Sequence, residues 1–306
     1  MTSAAAPAEP GTRAPFGRRA ATVVARESLG AYRLLRMADT DGPPDPLAGQ
    51  FYMLAAAERW GSGEGRPYLP RAFSHARVER GGEASARGGA SEPGFPFTPE
   101  LSFLLDAVGP GTECLGELEP GERVWIAGPF GVGFRLDPDG AGGNGAAASL
   151  EGRRRSLLAG GGIGVAPILA LADSLAPEAT TLLGFRSADH AAAAELFPRT
   201  PALATDDGSA GRHALVTELL AEELDADPAA TVYACGPPPM LEAVRSLCEN
   251  RGAPAQLALE SGMACGYGAC FGCVVPTRDG FVRLCLDGPV LDAARLDTAL
   301  FEGAGH

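Results

Sequence analysis

Four cysteines near the carboxyl end constrain this chain more than any other feature. MACGYGACFGC and the later RLCLDGPV give Cys265-x4-Cys270-x2-Cys273-x11-Cys285. The first three have the spacing of thiolates that hold a plant-type [2Fe–2S] cluster. A loop tight enough to surround two irons needs unusual dihedrals, which Gly266, Gly268 and Gly272 supply. With no side chains in the way, their N–H groups can point at the sulfurs and tune the reduction potential. The competing readings are a zinc site or reduced core thiols. Zinc ribbons pair two C-x2-C knuckles, however, and this chain has one. Of the remaining cysteines, Cys114 and Cys248 read as small buried hydrophobes.

A glycine-rich turn is the second constraint. SLLAGGGIGVAPILAL places Gly160, Gly161, Gly162 and Gly164 between an expected strand and an expected helix. Such a turn lets a pyrophosphate approach the backbone and meet the helix N-terminus. It departs from a strict G-x-G-x-x-G, and glycine turns also serve tight packing alone. Thr205-Asp206-Asp207-Gly208 ends the next strand but one. A carboxylate there, with Asp206 the candidate, accepts ribose hydroxyls and repels a 2′-phosphate, favouring NAD over NADP; a turn aspartate is the other reading. Cys235, Gly236 and Pro237 follow a later strand at the edge where ligands bind. Cys235 is either a nicotinamide contact or a packed thiol. Upstream, Arg71-Ala72-Phe73-Ser74 puts an arginine suited to a pyrophosphate and a serine suited to an isoalloxazine edge on one strand. Gly109-Pro110-Gly111-Thr112 offers backbone N–H groups to a phosphate. Each of these two is equally a surface arginine or a turn. His75, His190 and His213 fit no metal spacing and are expected to be exposed or locally hydrogen-bonded.

At roughly 100–200 residues per domain, the 306 residues suggest two domains and a small third. Residues 1–20 lack the apolar stretch of a secretory signal and are rich in small residues and proline, so a disordered tail and a cytoplasmic protein are expected. Residues 21–136 hold short strands (ATVVARESLGAYRLLRM, QFYMLAA, RAFSHARV, LSFLLDAV, RVWIAGPF), which suggest a small antiparallel β-barrel with a hairpin insertion at 79–100. Residues 137–155 read as a linker. Over 156–253 strands and helices alternate, the pattern of a doubly wound α/β domain with a parallel sheet. Residues 254–306 carry the cluster cysteines. The expected fold class is therefore α+β multidomain. A net charge of −13 argues against nucleic acid. The chain has no lysine, which excludes Schiff-base chemistry and the lysine P-loop. No apolar run approaches the roughly 20 residues of a transmembrane helix.

RAFS (71–74), GPGT (109–112), GPFGVGF (128–134), GGGIGVAPI (160–168), TDDGSAG (205–211), ACGPPPML (234–241), ESGMACGYGACFGC (260–273) and CLDGPV (285–290) occur in that order. The series resembles the ferredoxin–NADP reductase superfamily and, within it, the electron-transfer subunits of NAD-dependent class 1B dihydroorotate dehydrogenase, which are iron–sulfur flavoproteins. The resemblance implies an FAD lined by Arg71 to Ser74, passed by Leu104, Leu105 and Asp106, and held at its phosphates by Gly111 and Thr112. It gives residues 160–164 and 235–237 to NADH, and Cys265, Cys270, Cys273 and Cys285 to the cluster. It further implies electron transfer from NADH through FAD and the cluster to or from the FMN of a catalytic dihydroorotate dehydrogenase subunit in pyrimidine biosynthesis, two copies of each subunit together. The chain departs from the pattern with Arg-Ala-Phe-Ser in place of Arg-Pro-x-Ser, and with Asp106 where relatives often carry a basic residue. Two alternatives stand beside this. One is the same chemistry serving a cytoplasmic hydrogenase or a ferredoxin transhydrogenase; the other is a non-enzymatic zinc or redox sensor.

Overall fold

A computed structural model of the chain describes residues 17–43, 45–61, 67–79, 99–136, 154–175, 179–301 and 303. The expected tail up to residue 16, nearly all of the 79–100 insertion and most of the 137–155 linker lie outside the described residues.

The amino-terminal half forms a seven-stranded sheet from β1 (Arg19–Leu29), β2 (Tyr32–Ala38), β3 (Phe51–Ala56), β4 (Arg71–Ser74), β5 (Arg77–Glu79), β6 (Glu100–Asp106) and β7 (Arg123–Phe130). Its order is β4-β3-β7-β1-β2-β6-β5, and every ladder is antiparallel. If flat, such a sheet would hold its two edge strands roughly 29 Å apart, six strand spacings. Yet only His75 and Ala76 separate the edges β4 and β5, and the step from Ser74 to Arg77 spans at most about 10 Å. The sheet therefore rolls up until its edges meet. No ladder joins β4 to β5 among the described residues, so the roll is completed by the chain and not by hydrogen bonds. RAFSHARV, expected as one strand, is two strands because the chain crosses from edge to edge at His75. Val23, Leu35, Tyr52, Leu54, Phe103, Leu105 and Ile126 fill the interior. After β6, the expected phosphate turn opens a short helix, α1 (Pro110–Gly116).

The second half alternates as its sequence requires: β8 (Ser156–Gly161), α2 (Val165–Leu175), β9 (Ala179–Phe185), α3 (Ala188–Ala191), β10 (Ala202–Thr205), β11 (Arg212–His213), α4 (Val216–Ala226), β12 (Thr231–Cys235), α5 (Pro238–Arg251) and β13 (Ala255–Ala258). The chain then leaves the sheet for the cysteine segment, which includes the hairpin β14 (Val274–Thr277) and β15 (Gly280–Arg283) and the single-turn α6 (Leu284–Asp287). It returns as β16 (Val290–Asp292). The sheet order is β11-β10-β9-β8-β12-β13-β16, parallel except for β16. Because β13 and β16 hydrogen-bond within this sheet, the cysteine segment is an excursion from it, and the expected boundary at 253/254 falls just before one of its strands. The order of the chain reverses between β8 and β12, so a crevice opens at their carboxyl ends.

Specific polar contacts join the halves. Arg77 of β5 donates to both carboxylate oxygens of Asp173 in α2, at 2.6 and 3.0 Å, and to the Leu196 carbonyl at 2.8 Å. The Ala31 N–H, in the β1–β2 turn, donates to the Asp189 carbonyl in α3 at 3.1 Å. The architecture is thus a rolled antiparallel domain, a doubly wound α/β domain and a small carboxyl-terminal cysteine segment.

Candidate functional site

The cysteine segment shows why glycine recurs there. Gly266 and Gly268 sit at φ +79° and +86°, which side chains rarely tolerate. Gly272 differs from expectation: the left-handed residue beside it is Phe271, at φ +60°. Gly272 serves through its N–H instead, which donates to Cys270 Sγ over 3.4 Å. Burial works against ionising Cys265, but the N–H groups of Cys270, Tyr267 and Ala269 outweigh it and bring the thiol down to about 6. Cys265 is hydrogen-bonded to Cys270, and Cys285 to Cys273. Burial, then Cys273, pushes Cys285 up to about 12. Cys273 and Cys285 are 2% and 0% exposed, while Cys270 faces solvent. Among the described residues no three His, Cys, Asp or Glu side chains converge as the donors of one ion must. Two pairs of thiols on one short segment suit a two-iron rhomb.

The glycine turn and the Cys235 turn meet in the crevice between β8 and β12. Gly162–Gly164 make one 3₁₀ turn leading into α2. A β-carbon at Gly164 would stand 2.6 Å from the Cys235 carbonyl carbon and from the Gly236 nitrogen, so the two turns touch backbone to backbone. Gly161 and Gly236 are both pressed against Met240, and Gly160 against Leu183 and Val165. Gly162 alone opens onto free space: its φ is +53° and nothing lies within 4 Å of the missing side chain. Three of the four turn glycines are therefore explained by packing, and Gly162 faces open space. Cys235 is 3% exposed. Burial, then the charge of Glu260, raises its thiol well above the usual range, so it stays protonated.

Glu260 is a residue the sequence reading left without a role. It follows β13, is open to solvent, and is walled by protein closely enough that desolvation raises its carboxyl. Its place at the carboxyl end of a strand beside the switch point was the signal. Asp206 ends β10 and is exposed, while the Asp207 carboxylate accepts both the N–H and the hydroxyl of Ser209, at 2.9 and 2.6 Å, as a turn residue does.

On the rolled domain, β4 lies along β3 with Arg71 opposite Leu54, Ala72 opposite Met53, Phe73 opposite Tyr52 and Ser74 opposite Phe51. Arg71 and Gly111 come together: a β-carbon at Gly111 would stand 2.9 Å from Arg71 Nε. The Thr112 hydroxyl accepts the N–H groups of Val108 and Gly109, at 3.0 and 3.1 Å, and donates to the Gly109 carbonyl, which closes the turn. An anion there would meet backbone N–H and not that hydroxyl. Leu104 and Leu105 point into two different cores and offer a ligand only their backbone. Asp106 pairs with Tyr32 across the ladder. His190 is bonded to Arg186 and Ser187 and His213 is exposed, but His75 is buried, with Nδ1 unpaired among the described residues.

Residues 260–297, which span all four cysteines and begin at Glu260, match the iron–sulfur cluster binding domain of dihydroorotate dehydrogenase B. The chain is 41% identical over 202 residues to the dihydroorotate dehydrogenase B (NAD(+)) electron transfer subunit of Geobacillus thermodenitrificans, covering 61% of this chain and 70% of the relative. It is 32% identical over 253 residues to the subunit of the same name from Caldanaerobacter subterraneus, covering 80% and 85%. Among solved structures, a NADH-dependent reduced ferredoxin–NADP oxidoreductase superposes with a TM-score of 0.67 at 19% identity, covering 93% of this chain and 92% of that one. The ferredoxin reductase of carbazole 1,9a-dioxygenase follows with a TM-score of 0.54 at 22% identity, covering 78% and 66%.

Proposed function

The chain belongs to the family of dihydroorotate dehydrogenase B electron transfer subunits, and on that premise we propose that it passes electrons between NAD(H) and a catalytic dihydroorotate dehydrogenase subunit by way of FAD and a [2Fe–2S] cluster. Bound FAD takes the two electrons of a hydride and releases them singly, and the cluster carries one at a time.

The chain's own residues hold and orient these groups. Cys265, Cys270, Cys273 and Cys285 would supply the four thiolates of the cluster; backbone N–H donors lower the Cys265 thiol, and the Gly272 N–H meets Cys270 Sγ. Arg71 and the backbone N–H groups of Gly111 and Thr112 receive the FAD phosphates, Ala72 and Phe73 line the flavin, and Ser74 reaches its edge. Leu104 and Leu105 border it with backbone, and Asp106 adds no phosphate contact. Gly162 and the start of α2 take the NAD pyrophosphate. Asp206 accepts ribose hydroxyls and turns away a 2′-phosphate. The neutral Cys235 packs beside the nicotinamide, with Glu260 facing the same crevice. The catalytic partner carries FMN and binds dihydroorotate, two copies of each subunit assemble, and the complex works in the cytoplasm. Among the described residues no helix is long and apolar enough to cross a membrane.

The observation that carries this reading is the pairing of four thiols on a loop whose N–H groups converge on them. The match of residues 260–297 to an iron–sulfur cluster binding domain disfavours the zinc-sensor alternative. The transhydrogenase alternative rests on a structure 19% identical, a likeness of fold alone. Anaerobic purification tests the reading: flavin absorption bands with two irons and two sulfides per chain are expected. Cys270→Ser should lose the cluster and keep FAD. A colourless protein that reduces no dye with NADH would refute it.

A further inference from the structure

Residues 128–134, GPFGVGF, end β7 and run on beyond it, reaching the cysteine excursion at both of its ends. Beyond the last cysteine, the Val132 N–H donates to the Gly288 carbonyl, Val132 bridges to Pro289, and Gly131 lies so close to Gly288 and Pro289 that no side chain fits between them. Beside the first cysteine, Gly266 is pressed onto Phe130 and onto Met53 of β3. A β-carbon there would stand 2.6 Å from Met53 Cγ, 2.9 Å from Met53 Sδ and 3.5 Å from Phe130 Cδ2. Met53 is 3% exposed and pairs directly with Ala72 on β4. Its backbone thus belongs to the ladder beside the flavin strand, and its side chain carries the loop of Cys265.

We infer that Met53 is a positioning residue, whose side chain sets the separation between the flavin strand and the cluster loop and thereby the rate at which single electrons cross. The inference rests on the flavin lying along β4. An electron crossing between two fixed groups slows as their separation grows, so the protein's control over the step is their spacing. Methionine is unbranched and fills an irregular gap, and Gly266 brings bare backbone against it. The Gly131–Gly288 contact latches the far end of the excursion independently. Removing the Met53 side chain leaves a cavity under one end of the excursion, and the loop shifts while the cluster stays bound. The electrons balance in the isolated chain: each hydride brings two to the flavin, one passes to the cluster, and the other stays on the flavin.

The test uses the full chain loaded anaerobically with FAD and cluster, mixed rapidly with NADH, with flavin and cluster bleaching followed separately. Met53→Ala is expected to keep its iron content and visible circular dichroism, and to reduce flavin within twofold of the unaltered chain. Cluster reduction should fall severalfold. Hydrogen exchange across residues 264–272 should rise. Met53→Leu, close in volume, should stay within twofold on every measure. Gly266→Ala pushes the loop off the same side chain and is the second variant should Met53→Ala fail to fold; it should slow the same step. Cluster reduction at the unaltered rate in Met53→Ala overturns the inference, as does an equal fall in flavin and cluster reduction. A chain without flavin, or one whose flavin ignores NADH, overturns the proposed function and this inference with it.

Discussion

Two seven-stranded sheets divide the molecule, and their interiors are secured by different physics. Both halves bury polar side chains, Arg245 and Gln256 among them in the second, but among the described residues the buried polar atoms left without a partner all lie in the rolled half. Arg19 and Asp39, 8% and 2% exposed at their side chains, form a two-pronged ion pair inside it, and Arg19 also donates to the Gly128 carbonyl at 2.8 Å. Tyr52 Oη and His75 Nδ1 are buried there without partners among the described residues. The parallel sheet instead closes its switch point by backbone contact, with Gly164 against Cys235 and Gly236. The first interior should therefore fail through charge and protonation, and the second through added volume.

The sharpest test of that contrast is Asp39→Asn. It leaves the Arg19 guanidinium buried without its counter-charge, a loss of about 3–5 kcal/mol. Both tryptophans, Trp60 and Trp125, belong to this half, so urea unfolding followed by tryptophan emission reads it directly. A loss under about 1 kcal/mol would mean that water reaches the pair, and the contrast between the sheets would weaken.

Acid should act next. Burial pushes His75 down to about 4, and its bond to the Gln50 backbone opposes this only in part. The unfolded chain takes up the proton near 6.5, the folded chain only near 4. Stability is then complete above about pH 6.5 and declines as pH falls toward 4, by about 3 kcal/mol in all. His75→Gln should remove that increment of acid sensitivity when unfolding at pH 7 is compared with pH 4.5. If the variant is as acid-sensitive as the unaltered chain, the carboxylates are responsible and His75 is not.

The position of His75 also shows where the sequence stops being legible. RAFSHARV reads as one continuous strand, and only the strand order reveals that the chain crosses between two edges at that histidine. The same holds for Leu104 and Leu105, whose assignment to opposite cores depends on what packs on each face of β6. The cysteine spacing was legible because metal chemistry is local: the four proposed ligands lie on one short segment, at a spacing set by bond lengths that no distant contact changes. Phe271 shows the limit even there, since its left-handed conformation, stacked by Arg283 with Cζ at 4.8 Å from the ring centroid, has no signature in a residue type that avoids it. The strand-helix alternation placed the crevice correctly, but not the division of labour among its glycines.

That division separates the two smallest effects. Gly164→Ala drives a β-carbon into rigid backbone, and overpacking of this kind costs about 2 kcal/mol. NADH-dependent flavin reduction should drop while the cluster spectrum is unchanged. Gly162→Ala meets nothing, and its left-handed backbone costs about 1 kcal/mol. Its methyl group would instead stand where the pyrophosphate approaches. Gly162→Ala should therefore raise KM for NADH severalfold with kcat nearly intact, and Gly164→Ala should lower stability more than it alters KM. Should Gly162→Ala bind NADH normally, all four glycines of the turn serve packing, and the nucleotide meets this crevice through α2 and the Cys235 turn alone.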